Sequence, residues 1–189
     1  MLRIQEEGLA QLRRVDDLLS CYRTDTGPLP LRPRPVPLAQ SLTAVLQLVE
    51  PDVAEADLQA VLDVPPEIAP ALVDPGCLQQ ILRKLLHNAI RFTPRGGRIV
   101  LRARPWQENL VAVSVADSGV GIPPADLSRV FDKFWSGEQP DGGKPQGFGL
   151  GLAIARNLVE AHRGTIWAES EPGRGTTVTF TLPAVVGHQ

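Results

Sequence analysis

The sequence predicts a two-layer α/β (α+β) sandwich: a mixed, mostly antiparallel sheet with helices on one face, preceded by one amphipathic helix. Segments 98–104 and 110–116 have the apolar patterns of two strands, and the short loop between them favours a hairpin. Segments 38–48 and 76–91 instead have the three- and four-residue spacing of helices. Segment 176–182 alternates apolar residues with threonines, so we expect its threonines to face outward on a partly solvated side of the sheet.

Two features precede the main domain. Residues 3–22 predict the amphipathic helix, because apolar side chains recur at helical spacing at Leu9, Leu12, Val15, Leu19 and Tyr22. Five prolines between positions 28 and 37 then exclude regular helix and indicate a Pro-rich linker. We therefore expect separate segments at 1–27 and 28–37, followed by one domain over residues 38–189.

The other elements of this domain follow in chain order. The helix at 38–48 is expected to run up to Pro51, and short strands are predicted at 58–64 and 71–73. The helix at 76–91 ends at Thr93-Pro94-Arg95-Gly96-Gly97, since proline and glycine interrupt helical structure.

The second half of the domain begins after the hairpin. Residues 123–127 predict the first turn of a short helix that leads into residues 130–135. Residues 136–146 contain no large apolar side chain, so we expect a surface loop within a lid at 135–148. A helix with the apolar stripe Ile154, Leu158 and Val159 follows, and strands at 165–169 and 176–182 complete the fold.

Composition limits the possible functions. The 189 residues carry 19 Lys and Arg against 21 Asp and Glu, so the net charge of −2 indicates no nucleic-acid partner. Apolar runs are shorter than a membrane span, and the start lacks a secretory signal pattern. Cys21 and Cys77 are too few for a disulfide framework or a zinc site, so we expect reduced thiols and a cytoplasmic location.

An acidic residue followed by two glycines marks the first candidate site. The strand at 110–116 runs into Asp117-Ser118-Gly119-Val120-Gly121-Ile122. Glycine permits a tight turn and a close approach of a ligand to the main chain, although this motif alone is more typical of an ordinary turn at the end of a strand. Three further features accompany it: a helix with Asn88, Arg91 and Phe92, a lid with Phe131 and Phe134, and Gly147-Phe148-Gly149-Leu150-Gly151-Leu152 at a helix start.

The ordered set of these features resembles the catalytic, ATP-binding domain of bacterial sensor histidine kinases, in the gyrase-B-like (Bergerat-fold) ATPase superfamily. The resemblance extends from about residue 35 to residue 183 and includes the endings Glu160-Ala161-His162-Arg163-Gly164 and Gly173-Arg174-Gly175-Thr176-Thr177. Each motif alone is loose, whereas the ordered set is specific. The resemblance implies ATP as the ligand and Mg²⁺ as the metal.

The resemblance also assigns roles to the helix before the hairpin. Asn88 matches the family residue that holds Mg²⁺, an ion that favours oxygen ligands. Arg91 matches a basic position that reaches a phosphate, and Phe92 matches an aromatic position against adenine. These residues lie three or four apart, so one helix face presents them together. The alternative is that Asn88 is an ordinary surface residue and Phe92 an ordinary core residue.

The two glycine motifs complete the implied site. Asp117 matches the residue that accepts a hydrogen bond from the adenine amino group, and N–H groups at the second motif would bind phosphates. Lys133 would reach the γ-phosphate and Thr176 would bond near adenine through water; the alternatives are a surface lysine and an ordinary strand threonine. The predicted catalytic residues are Asn88, Arg91 and Lys133. The predicted nucleotide-binding residues are Asn88, Arg91, Phe92, Asp117, Gly119, Gly121, Ile122, Gly147, Gly149, Leu150, Gly151, Leu152 and Thr176.

The chain departs from the family at identifiable positions. Lys84 lies where the family usually has Asn, and where gyrase-type relatives have the Glu that activates water, so hydrolysis of that kind is not expected. Lys84 either supplies charge to the phosphates or hinders Mg²⁺ binding. Phe148 replaces a usually small residue between the glycines. The family's phosphoacceptor histidine has no match, because the histidines of this chain are His87, His162 and His188.

We therefore predict the ATP-binding catalytic domain of a two-component sensor histidine kinase, which transfers the γ-phosphoryl of Mg-ATP to a histidine outside this chain. Residues 1–27 resemble the terminal part of the dimerisation and phosphoacceptor helix. The implied partners are that helix, in the same kinase or in another chain, and a response regulator. The resemblance also implies a homodimer in the full-length protein, which could be anchored in the cell membrane. The alternatives are a non-catalytic nucleotide-binding interaction module and a serine kinase of the anti-sigma type.

Overall fold

A computed structural model describes residues 30–107, 109–135 and 149–185. The predicted helix at 3–22 lies outside this part of the chain. So do lid residues 136–148, which include Gly147. The described elements are β1 (Arg34–Val36), α1 (Leu38–Glu55), β2 (Gln59–Asp63), β3 (Ala71–Val73), α2 (Pro75–Phe92), β4 (Arg98–Trp106), β5 (Leu110–Asp117), α3 (Gly151–Ala161), β6 (Ile166–Glu171) and β7 (Gly175–Pro183).

The main sheet has five strands in the order β2-β4-β5-β7-β6. Only the β2–β4 pair is parallel, and the other three pairs are antiparallel. β4 and β5 form the predicted hairpin, in which Ile99 lies opposite Asp117. β1 lies within the Pro-rich segment and pairs with β3 as a separate two-stranded antiparallel sheet. The mixed, mostly antiparallel sheet predicted from the sequence is therefore confirmed.

One face of the sheet and the three helices enclose a single core. The core residues of β4, β5 and β7 occupy every second position along each strand, and Phe180 in β7 is completely buried. The helices contribute the stripes that their spacing predicted, including Leu82, Leu85 and Leu86 of α2 and Ile154 and Leu158 of α3. This packing holds the end of α2 and the start of α3 on the same face of the sheet.

Two predicted helical boundaries are wrong. α1 continues through Pro51 to Glu55, because its buried stripe runs on to Val49 and Val53. Burial of that stripe outweighs the single backbone hydrogen bond that a proline removes. Residues 123–127 do not start a helix; i to i+3 hydrogen bonds such as Asp126 N–H to the Pro123 carbonyl (2.9 Å) form successive turns instead.

The predicted exposure of the β7 threonines is also wrong at two positions. Thr179 and Thr181 are buried, at 8% and 4% exposure. The rings of Trp106 and Trp167 approach to 5.5 Å between centroids, and these residues belong to β4 and β6, on either side of β5 and β7. The two indoles therefore meet over β5 and β7, and β7 carries both threonines. In addition, Thr181 Oγ1 accepts a hydrogen bond from Thr165 N–H at 3.0 Å.

No helix within the described residues has both the length and the apolar character needed to cross a membrane.

Candidate functional site

The last turns of α2 lie between the two glycine motifs. On one side, the Phe92 carbonyl accepts a hydrogen bond from Val120 N–H at 3.2 Å, which ties α2 to the Asp117 loop. On the other side, Asn88 Oδ1 lies 4.0 Å from the position that a Cβ atom would take on Gly151. Asn88 and Phe92 are one turn apart, so about 6 Å of helix joins the acidic loop to the start of α3.

Asp117 is a partly buried carboxylate held in a fixed orientation. Its Oδ1 atom accepts hydrogen bonds from Gly119 N–H at 2.8 Å and from Thr176 N–H at 3.2 Å. Burial raises the pKa of Asp117, and these two bonds only partly offset that effect. Both bonds use the same oxygen, so among the described residues these donors leave Oδ2 able to accept a hydrogen bond from a ligand.

Ser170 fastens the Asp117 loop to the far edge of the sheet. Its Oγ accepts a hydrogen bond from Ile122 N–H at 2.8 Å and donates to the Gly175 carbonyl at 2.8 Å. The same oxygen lies 2.9 Å from Thr176 Oγ1. Sequence reasoning missed Ser170, because a single serine in a polar strand gives no signal until its partners 48 and 5 residues away are known.

The glycines of the first motif are required by the protein's own backbone. A Cβ on Gly119 would collide with the Phe92 carbonyl oxygen, and a Cβ on Gly121 would collide with the Glu171 carbonyl oxygen. Gly121 also has a φ of +71°, which disfavours other residues. These contacts let the Asp117 loop fit between α2 and the turn before β7, so both glycines serve this packing whatever ligand approaches.

The second glycine motif presents an open helix N-terminus. The first intrahelical bond of α3 runs from Ile154 N–H to the Leu150 carbonyl at 2.9 Å, so the preceding N–H groups have no partner within the helix. Leu150, the N-cap residue, provides no side-chain hydrogen bond, and the first turn contains no acidic residue. Such an end carries partial positive charge and exposed donors, which is the chemistry that binds anions.

Gly151 differs from the other site glycines because protein atoms leave room beside it. The nearest side-chain atoms to an added Cβ would be Lys84 Cδ at 3.8 Å and Asn88 Oδ1 at 4.0 Å, which are ordinary contact distances. By contrast, Gly149 has a φ of +64°, and its Cβ would collide with the Trp135 carbonyl oxygen. Among the residues that the structure describes, Lys84 and Asn88 bound the space above Gly151 and leave room there for a ligand.

Comparison with known proteins decides the family. The family described as "Histidine kinase-, DNA gyrase B-, and HSP90-like ATPase" matches residues 73–186, which include both glycine motifs and the whole of α2 from its first turn. The chain belongs to this family.

Several curated and solved relatives are sensor kinases. The chain is 33% identical to the sensor histidine kinase WalK of Bacillus subtilis over 95% of its own length and 29% of WalK. It is 38% identical to the sensor histidine kinase ZraS of Klebsiella oxytoca over 90% of its length and 35% of ZraS. The full-length structure of ShkA in complex with AMPPNP matches 100% of the chain and 39% of ShkA, with 31% identity and a TM-score of 0.86.

A catalytic domain of this type accounts for nearly all of the described chain. The isolated catalytic domain of the histidine kinase ThkA, 26% identical, covers 81% of the chain and is itself covered to 98%, with a TM-score of 0.70. The chain spans less than half the length of the WalK and ZraS sequences that it matches. The described residues are thus the ATP-binding catalytic domain of a two-component sensor histidine kinase.

The structure brings most residues predicted for this kinase domain to one region. Asn88, Arg91 and Phe92 are all accessible at the end of α2, and Phe92 is 40% exposed. The Arg91 guanidinium lies 5.0 Å from the centre of the Phe92 ring, and burial lowers the pKa of Arg91 without removing its charge. Thr176 contacts Asp117 directly through its N–H.

The remaining predicted residues lie around the second glycine motif. Phe134 N–H donates to the Gly149 carbonyl at 3.1 Å, so exposed Lys133 lies beside this motif. The Leu150 side chain is buried in the core, so Leu150 can offer only its backbone to a ligand, whereas Leu152 is half-buried and packs against the core. Gly147 lies outside the described residues.

The two described histidines of the kinase domain make contacts away from the glycine motifs. His87 Nε2 lies 3.5 Å from Asp52 of α1. His162 is buried, with Nε2 accepting a hydrogen bond from Asp74 N–H at 3.0 Å and Nδ1 2.7 Å from the Leu158 carbonyl. His162 therefore joins the end of α3 to the start of α2 and positions the two helices that flank the site.

Proposed function

We propose that this domain binds Mg-ATP between its two glycine motifs and transfers the γ-phosphoryl group to a histidine on a phosphoacceptor helix. The observation that carries the proposal is the placement of the α2 end, where Phe92 meets the Asp117 loop and Asn88 faces the start of α3. One helix turn thereby joins a purine-binding carboxylate to an anion-binding helix terminus. The complex of the relative ShkA with AMPPNP supports the same choice of ligand.

The adenine end of the proposed site uses Asp117. Its free oxygen can accept a hydrogen bond from the adenine amino group, whereas a guanine carbonyl would place two acceptors together. Phe92 offers an exposed ring for the base, and Thr176 lies close enough to share the polar contacts of Asp117. This arrangement favours ATP over GTP.

The phosphate end uses α3, Asn88 and the cations around them. The N–H groups before Ile154 and the room above Gly151 suit a phosphate group, and Arg91 and Lys133 supply positive charge. Asn88 Oδ1 borders the same space and suits Mg²⁺, which keeps waters and takes most of its negative charge from the nucleotide. When bound, the metal would supply charge neutralisation, while the protein positions the phosphates.

The proposed partners follow from membership among sensor kinases. The phosphoacceptor would be a helix in the same kinase or in another chain, and a response regulator would take the phosphoryl group onward. We expect the full-length protein to be a homodimer, and we place residues 1–27 at the end of its dimerisation helix. Residues 28–37 would be the linker and 135–148 the lid that covers the phosphates.

The test mixes the 189-residue chain with labelled ATP and a separate phosphoacceptor-helix peptide. We expect label on histidine, with transfer reduced about 100-fold or more by Asn88→Ala. Arg83→Ala, an exposed change on the same helix, is the control and should leave transfer within about twofold of the original. Nucleotide binding without transfer would favour the non-catalytic module, and label on serine would favour the anti-sigma type of kinase.

A further inference from the structure

We propose that Lys84 is a phosphate-binding residue of this particular chain and that it makes nucleotide binding less dependent on Mg²⁺. The proposal rests on the proposed function and concerns a position where the chain departs from the asparagine usual in its family. Lys84 lies on α2, four residues before Asn88, so the two side chains project from the same face of the helix.

The two side chains converge on one point at the start of α3. Lys84 Cδ lies 3.8 Å, and Asn88 Oδ1 4.0 Å, from the position that a Cβ atom would occupy on Gly151. The lysine stem therefore packs along the space above Gly151, and its ammonium group is only two bonds beyond Cδ. Lys84 is half-buried, and a lysine can lay its stem along the protein while its charged head reaches outward.

The charge of Lys84 adds to a region that already favours anions. The start of α3 has the positive end of the helix dipole, no acidic residue in its first turn and no side-chain cap. An anion placed between the helix terminus and the lysine would be attracted by both. A polyphosphate above Gly151 would touch the helix N–H groups on one side and the lysine ammonium on the other.

This placement predicts that Lys84 and Mg²⁺ both neutralise phosphate charge. A fixed ammonium neutralises part of the phosphate charge whether or not Mg²⁺ is present, whereas an asparagine at the same position acts only as a polar group. The chain with Lys84 should therefore retain nucleotide affinity when the metal is chelated. Replacement by asparagine should restore a stronger requirement for the metal.

The experiment measures the Kd of ATP by titration calorimetry in Mg²⁺ and in EDTA, for the full chain, Lys84→Asn and Arg83→Asn. We expect Lys84→Asn to weaken binding about tenfold in EDTA and less than about threefold in Mg²⁺, in line with one charged hydrogen bond. Arg83→Asn removes the same charge from the neighbouring exposed position and should change both values less than about twofold. Circular dichroism melts establish that each variant is folded.

The outcomes separate this proposal from the function on which it rests. If the original chain binds ATP and Lys84→Asn has the same ratio of Kd values in the two buffers, Lys84 does not contact the phosphates. Tighter binding by Lys84→Asn in Mg²⁺ would show that the lysine hinders the metal and would overturn the proposal. If the original chain binds no ATP in either buffer, the proposed function itself fails.

Discussion

Replacing Gly151 by alanine should change stability and nucleotide binding in opposite directions. Gly151 is the first residue of α3, and its backbone does not have the positive φ found at Gly149. An alanine Cβ would meet Lys84 Cδ at 3.8 Å and Asn88 Oδ1 at 4.0 Å, so the described residues leave room for the methyl group in the nucleotide-free protein. Any loss of binding therefore reports on the space that the ligand uses.

The magnitudes follow from this geometry. Gly→Ala at a compatible helical position reduces the entropy of the unfolded chain and adds about 0.4–1 kcal/mol to the free energy of unfolding. For a domain of this size, that gain raises Tm by roughly 1–4 °C. With nucleotide bound, the methyl group would have to share its space with phosphate, at a cost of about 1–3 kcal/mol, which corresponds to roughly 5- to 150-fold weaker binding.

The assay is a thermal melt of the nucleotide-free chain together with a calorimetric titration of ATP. Gly76→Ala is the control for binding, because Gly76 lies in the first turn of α2, at the other end of that helix from Asn88. Its affinity for ATP should be unchanged. An unchanged Kd for Gly151→Ala would refute the idea that the space above Gly151 receives phosphate, and a lower Tm would show that the backbone there is strained.

Two further predictions concern the carboxylates at the ends of the site helix. Because burial raises the pKa of Asp117 above its ordinary value of about 4, the contribution of Asp117 to the stability of the nucleotide-free chain should fall as pH rises from about 4 to that raised pKa, while ATP affinity increases over the same interval. Asp117→Asn should remove both trends in denaturant melts and titrations across pH, and a pH-independent affinity in the original chain would exclude the ionised acceptor. Asp74 caps α2 through Gly76 N–H at 2.9 Å and Cys77 N–H at 3.2 Å, so Asp74→Ala should lower the free energy of unfolding by about 1–2 kcal/mol in urea, with Asp74→Asn closer to the original. The same loss in both variants would argue against the capping role.

Local pattern was sufficient for much of the fold. The hairpin of β4 and β5, the helix that became α2, and the alternation of β7 all depend on the spacing of apolar residues within a few positions. Where the local pattern gave a wrong prediction, a contact with another part of the chain determined the structure. α1 passes through Pro51 because its stripe is buried, and Thr181 is buried because indoles from β4 and β6 meet over the strands between them.

The site shows the same division. The motifs identified Asn88, Asp117 and Gly151 from their order in the chain, and the family comparison confirms the class of domain that they indicated. The motifs did not reveal Ser170, which orients the Asp117 loop from 48 residues away. The motifs also suggested that Gly119 makes room for a ligand, whereas in the structure its missing side chain makes room for the Phe92 carbonyl.

By itself, the sequence determined most of the secondary elements, their order, and the acidic residue with two glycine turns that we propose binds a purine, because hydrogen bonding within elements and turn geometry depend on near neighbours. Only the tertiary structure decided how these parts meet. The bond from Thr176 N–H to Asp117 Oδ1 joins residues 59 apart, and the approach of Lys84 and Asn88 to Gly151 joins two different helices. Such contacts depend on how the helices pack on the sheet, which no local spacing of residues records.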